Sequence, residues 1–257
     1  MLTIRDLEVR FGSRVVASLP ELDVAPGEIV GVAGESGSGK SMTALAILGL
    51  ATHAGATVRG SIRLAGTELV GLDERRLRAL RGSRVAMIMQ SPRASLNPTL
   101  RLGDLLARTL RLHGVPRSEI AGRATDGMRS VLLAPELLER YPHQVSGGQA
   151  QRFAIALVLA LGADVVIADE PTSALDVTVQ AEVVGLLARL RDERGTAQLF
   201  ISHDLAVIGQ LADRVVVMRD GAVVEQGAAA EVLSLPGTEY TRELVAAIPR
   251  IRAVEER

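Results

Sequence analysis

The sequence predicts an α/β fold built on a parallel sheet and interrupted by a helical segment. Three observations carry this. β-branched runs that read as buried strands alternate with helical stretches. A glycine-rich loop separates the strand Ile29–Val32 from the helix that follows it. Residues 91–145 hold five of the ten prolines and little β-branched material, so the alternation breaks there in favour of helices.

The elements follow in order. Residues 1–33 read as strands, with Val15–Val16 and Ile29–Val32 as β-branched runs separated by the turn signal Pro26-Gly27. After the loop at 34–39, a helix runs through Ala44–Leu50. Gly60 to Gly66 reads as a strand between turns, and Arg84 to Met89 as a strand ending at Gln90. Helical stretches then cover Leu102–Leu112 and Glu119–Leu133. Val165–Ala168 is a buried strand. Val183, Leu186, Leu187 and Leu190 share one face of a helix over Val179–Leu190. Leu199–Ser202 is a strand, followed by a short helix, the strand Val215–Met218 and a turn at Arg219-Asp220-Gly221.

Composition narrows the function. At 47% hydrophobic and 23% charged, the 257 residues can bury a full core. The 29 basic and 30 acidic residues nearly cancel, which argues against a nucleic-acid surface. Cysteine is absent, excluding disulfides, thiolate metal sites and a cysteine nucleophile in this chain. An acid at Asp6 precedes any apolar run, so no secretory signal is expected. The longest apolar stretch, Phe153 to Ala163, falls short of the roughly 20 residues of a spanning helix. A cytosolic chain is therefore the expectation, which leaves docking onto a membrane protein open. Of the 29 basic residues only one is lysine, and that is Lys40.

Gly34-Glu35-Ser36-Gly37-Ser38-Gly39-Lys40-Ser41 matches G-x-x-x-x-G-K-[ST], with a strand before it and a helix after it. Glycines let the backbone curl so that N–H groups face phosphate oxygens, and the helix start adds its positive dipole end. Lys40 brings an ammonium to the β- and γ-phosphates, and the Ser41 hydroxyl suits Mg²⁺. The strand Val165–Ala168 ends in Asp169 and Glu170. Taken alone, such a pair reads either as solvated acids or as a Mg²⁺ ligand followed by a general base. His203 and Gln90, each at a strand end, are open to both structural and functional readings.

Val145-Ser146-Gly147-Gly148-Gln149 joins these pieces. With the loop upstream and the acid pair 20 residues after Gln149, the whole resembles the ABC transporter ATPases, motif by motif and in order. The loop at 34–41 looks like Walker A, Gln90 like the Q-loop glutamine at the metal, and Val165–Glu170 like Walker B with Asp169 at the metal and Glu170 as catalytic glutamate. Ser146–Gln149 looks like the signature, Ser173-Ala174-Leu175-Asp176 like the D-loop, His203 like the switch histidine, and Phe11 like the aromatic on adenine. The resemblance implies a P-loop NTPase with a RecA-like core and antiparallel β subdomain (1–90 and 161–257) and a helical subdomain (91–160). It implies ATP and Mg²⁺ as cofactors. It also implies a dimer in which the signature of one subunit faces ATP held by the other. Ser146 to Gly148 precede an apolar helical run, so they form a helix N-terminus, a second anion site best used on a partner's γ-phosphate.

A narrower resemblance rests on Gln90 to Pro98, Tyr141-Pro142-His143-Gln144, Ala174 to Ala181, and Tyr240-Thr241-Arg242 with Ala247-Ile248-Pro249. These are similar to the dipeptide, oligopeptide and nickel importer branch. That implies a different ATPase chain as partner, two membrane permease subunits, an extracytoplasmic substrate-binding protein, and a place on the cytoplasmic face of the membrane. The end at Arg257, without a cysteine-bearing extension, looks more like the short nickel-type subunits, and Val145 stands where the signature usually has leucine. Two other readings compete: an ATPase of another ABC transport system, and a soluble ATPase acting on nucleic acid or ribosomes.

Overall fold

The computed structural model describes residues 1–173 and 175–248; Ala174 of the D-loop pattern and Pro249 of the C-terminal pattern lie outside the described residues. Among the described residues, ten strands form one sheet. They are β1 (Leu2–Phe11), β2 (Arg14–Val24), β3 (Ile29–Ala33), β4 (Thr57–Leu64), β5 (Thr67–Glu68), β6 (Val85–Ile88), β7 (Val165–Asp169), β8 (Ala197–Ser202), β9 (Arg214–Arg219) and β10 (Ala222–Ala228). The helices are α1 (Lys40–Ile47), α2 (Glu74–Leu80), α3 (Pro92–Ser95), α4 (Leu102–Leu112), α5 (Arg117–Ser130), α6 (Gly147–Leu161), α7 (Val177–Arg194), α8 (Leu205–Leu211), α9 (Ala229–Ser234) and α10 (Glu239–Ala246).

The strand order is β5-β4-β1-β2-β10-β9-β3-β8-β7-β6. From β9 to β6 every pairing is parallel. From β5 to β2 every pairing is antiparallel. The two parts meet at β10, which runs antiparallel to β9 and touches β2 through the pair Ala222↔Ser18.

The parallel strands are apolar throughout because both faces are covered. Val32, Ile167, Ile201 and Val216 point to the side packed by α1 and the antiparallel strands. Ala33, Ala168, Phe200 and Val217 point to the other side, under the helices. The predicted strand at Gly60–Gly66 starts earlier, at Thr57, and carries Gly60 inside it. The reason is a bulge: the β1–β4 register shifts between Arg5 and Glu8, where Gly60 packs against the Asp6 carbonyl.

Helices α3 to α6 fill residues 92–161 and stack on one another. Leu102, Leu106 and Leu110 bury one face of α4 at four-residue spacing. Phe153 of α6 lies fully buried at the centre of that packing. None of the helices among the described residues is long and apolar enough to cross a membrane.

Candidate functional site

The sheet's parallel strands all end on one side, and a cleft of about 840 Å³ opens there. It is lined by the whole loop from Gly34 to Ser41, by Phe11 and Arg14 across the β1–β2 turn, and by Gln90, Glu170 and His203.

The loop's shape is set by packing. Gly34 has φ +146° and lies so close to the Met218 carbonyl that a Cβ would sit 2.2 Å from that oxygen. Gly39 has φ +101°, and a Cβ there would meet the Val16 carbonyl at 2.5 Å. Only glycine fits both conformation and space. Gly39 precedes α1 and gives it no side-chain cap, so the helix's first N–H groups are left without a side-chain acceptor.

Lys40 folds back under the loop. Its Nζ donates to the carbonyls of Gly34 and Glu35, each at 2.7 Å, and to Ser38 Oγ at 3.3 Å. Burial pushes the ammonium's pKa below the ordinary lysine range, while the charges of Glu170, Asp169 and Glu35 push the other way. Added phosphates would supply the countercharge that burial leaves wanting.

In the first turn of α1, Ser41 Oγ donates to Asp169 Oδ1 at 3.2 Å. Burial raises the pKa of the Asp169 carboxyl, the Ser41 hydrogen bond lowers it, the Glu170 charge raises it and the Lys40 charge lowers it; the net direction is up. A hydroxyl and a carboxylate side by side form a hard-oxygen pair suited to Mg²⁺. Among the described residues no cluster of three or more His, Cys, Asp or Glu could hold a metal alone.

Glu170 turns out of the strand. Its φ is +48°, in the left-handed region, and its N–H donates to the Ile201 carbonyl at 2.9 Å. The carboxylate is nearly buried and is held by His203: the backbone N–H of His203 donates at 3.0 Å, and Nδ1 lies 2.9 and 2.8 Å from the two carboxylate oxygens. An ionised carboxylate only accepts, so Nδ1 carries the hydrogen and Nε2 is the imidazole's remaining polar atom.

Other residues singled out in the sequence stand elsewhere. Ser146 caps α6: its Oγ accepts from Gln149 N–H at 3.2 Å, and its N–H donates to Gln149 Oε1 at 2.9 Å. Gly148 packs against Val179 at the start of α7. Asp176 caps that helix, accepting from Val179 N–H at 3.0 Å. Ser146, Gly147, Gly148, Gln149 and Asp176 are thus neighbours around one junction, and none of them lines the cleft.

Sequence reasoning missed Arg14, Tyr240 and Leu244 among the contributors. Arg14 pairs with Phe11 in the β1–β2 register, a position the two-residue turn Gly12-Ser13 makes legible. Tyr240, noted only as part of a C-terminal pattern, accepts a hydrogen bond from Glu35 N–H at 3.1 Å, and Leu244 lines the cleft. Both come from α10, about 200 residues away along the chain, and no local signal marks that contact.

The ABC transporter family model matches residues 19–173. The chain is 43% identical over 257 residues to the "Probable peptide ABC transporter ATP-binding protein y4tR" of Sinorhizobium fredii, covering 97% of this chain and 77% of that protein. It is 45% identical over 232 residues to the "Probable D,D-dipeptide transport ATP-binding protein DdpD" of Escherichia coli K12, covering 89% and 71%. Among solved structures, a dimeric post-hydrolysis state of the ATP-binding cassette MJ0796 bound to ADP and Pi superposes with a TM-score of 0.79 at 26% identity, covering 89% of this chain and 99% of that one. A phosphate loop closed on its only lysine, an oxygen pair suited to Mg²⁺ and a buried glutamate bound to histidine thus sit in a cassette fold. The chain belongs to the ABC transporter family, as one of its ATP-hydrolysing cassettes.

Proposed function

We propose that this chain is the ATP-hydrolysing subunit of an ABC importer of peptides or peptide-like solutes. It acts in a dimer whose second ATPase is a different chain, beneath two permease subunits fed by an extracytoplasmic binding protein. It sits peripherally on the cytoplasmic face. The observation that carries the reading is the separation of two phosphate-binding ends. Gly34–Ser41 lines this chain's own cleft, while the Ser146 end of α6 does not. A second anion-binding end with no phosphate of its own is explained by a partner's ATP. The y4tR and DdpD relatives, named for peptide and D,D-dipeptide transport, support the substrate class. Nickel or metal-chelate import is the neighbouring alternative within the same branch.

In the proposed mechanism the loop N–H groups and Lys40 take the phosphates, and Phe11 stacks on the adenine. Ser41 and Asp169 would hold Mg²⁺ with Gln90 beside them, and the bound ion would neutralise charge between the β- and γ-phosphates. Glu170 orients and polarises the attacking water. His203 fixes that carboxylate through Nδ1, which leaves Nε2 to contact a γ-phosphate oxygen. Catalysis comes from positioning and from stabilising spread phosphoryl charge. Residues 91–160, carrying α3 to α6, form the arm that passes closure to the permease.

Glu170→Gln tests the chemistry. ATP affinity should stay unchanged, hydrolysis should fall by about two to four orders of magnitude, and ATP-bound dimers should accumulate. Normal turnover would remove Glu170 from the role. Stimulation of turnover by co-purifying membrane subunits supports the importer; stimulation by DNA or ribosomes would overturn it.

A further inference from the structure

The phosphate loop is gripped from behind by the chain's C-terminal elements. Gly34 abuts the Met218 carbonyl of β9, and Gly221 N–H donates to the Ser38 carbonyl at 3.2 Å. The peptide groups flanking Glu35 are held from two sides. Its carbonyl accepts from Lys40 Nζ at 2.7 Å, and its N–H donates to the Tyr240 hydroxyl at 3.1 Å.

Tyr240 is itself fixed. It is 5% exposed, and the Arg219 guanidinium lies 4.7 Å from its ring centre. The start of α10 is pinned by Glu225 of β10, which accepts from Gly237 N–H at 2.7 Å and from Thr238 N–H and Oγ1 at 3.0 Å each. Thr238 in turn caps α10 through Thr241 N–H at 3.2 Å. One turn beyond Tyr240, Leu244 of the same helix lines the cleft.

We infer that Tyr240 is a positioning residue for the nucleotide: its hydroxyl holds the entry of the phosphate loop in the shape that receives phosphates. A helix that only packed against the core would need an apolar side chain here. A buried phenol aimed at a loop N–H, on a helix pinned at its start, fixes loop geometry before the ligand arrives. By linkage, occupancy of the loop and the environment of Tyr240 then report on each other. This rests on the nucleotide reading of the cleft.

The test measures MgATP and MgADP binding to the full chain by calorimetry. Tyr240→Phe, which keeps the ring and removes the hydroxyl, should weaken both by about two- to tenfold, the worth of one hydrogen bond. Wild-type affinity in that variant, with binding weakened in Lys40→Ala, would overturn the inference alone. Wild-type affinity in Lys40→Ala as well would overturn the nucleotide reading beneath it. A second measurement leaves Tyr240 intact. The chain has two tyrosines and no tryptophan, and Tyr141 stacks on His143 away from the cleft, so Tyr141→Phe makes Tyr240 the only strong ultraviolet emitter. Its emission should change on MgADP titration with a midpoint at the calorimetric Kd. An emission indifferent to saturating MgADP would refute the proposal.

Discussion

Two helix starts in this molecule look alike in sequence and differ in structure. α1 follows Gly37-Ser38-Gly39 and α6 follows Ser146 with Gly147-Gly148 at its first turn, and each presents N–H groups that an anion could take. At α1 the residue before the helix is a left-handed glycine that gives no cap, and a buried lysine closes the loop from below. That end is open to phosphate from the outset. At α6 the chain satisfies two of its own donors, the N–H groups of Ser146 and Gln149, through a reciprocal cap. A phosphate reaching that end finds these two donors already engaged. The first site is preorganised within one chain, and the second is kept stable until something displaces its cap.

Breaking the first site should cost most. Lys40→Ala removes a charge-assisted donor from the loop and should weaken MgATP binding by about 10- to 100-fold in calorimetry. An unchanged dissociation constant would erase the distinction between the two ends.

Amine chemistry sharpens the same contrast. Lys40 is the chain's one lysine, and burial holds its pKa below the ordinary range. A lowered pKa means that the neutral, reactive amine forms at lower pH than on an exposed lysine, so reactivity rises earlier with pH. Bound phosphates reverse the shift and cover the group. Mass-spectrometric labelling at pH 8 to 9 should therefore slow by about tenfold or more at saturating MgATP. Labelling that ignores ATP would place Lys40 outside the site.

The smallest effect belongs to the second end. Ser146→Ala should cost about 1 kcal/mol of stability in thermal unfolding, the usual worth of a helix cap, and leave this chain's own ATP affinity within about twofold. Weaker binding by the isolated chain would show that the α6 end serves its own cleft, and the comparison would collapse.

Much of this was legible in the residues. The parallel strands are short apolar runs, and Asp169, Glu170 and His203 could be placed at the ends of two of them on that basis. The helix over Leu102–Leu112 is set by leucine spacing and has those same bounds in the structure. What was not legible is contact at long sequence separation. Nothing near Tyr240 says that it meets Glu35, and nothing in residues 222–228 says that β10 stitches the two parts of the sheet together. Helices α2, α9 and α10 were also unread, because short helices draw their stability from what they pack on rather than from their own pattern. The Nδ1 of His203 bound to Glu170 is a third case, since a lone histidine carries no sign of which atom it will face.

Glu170 sits with φ at +48°, where a side chain is uncomfortable, immediately after an unstrained strand. Left-handed backbone costs an ordinary residue about 1 to 2 kcal/mol, and asparagine or glycine would bear it more cheaply. The fold therefore gives up some of its resting stability at the position proposed for the water-activating carboxylate, and keeps there a residue chosen for reach and charge rather than for ease of folding. A search for more stable versions of this chain, made without regard to turnover, would be drawn to replace that glutamate early.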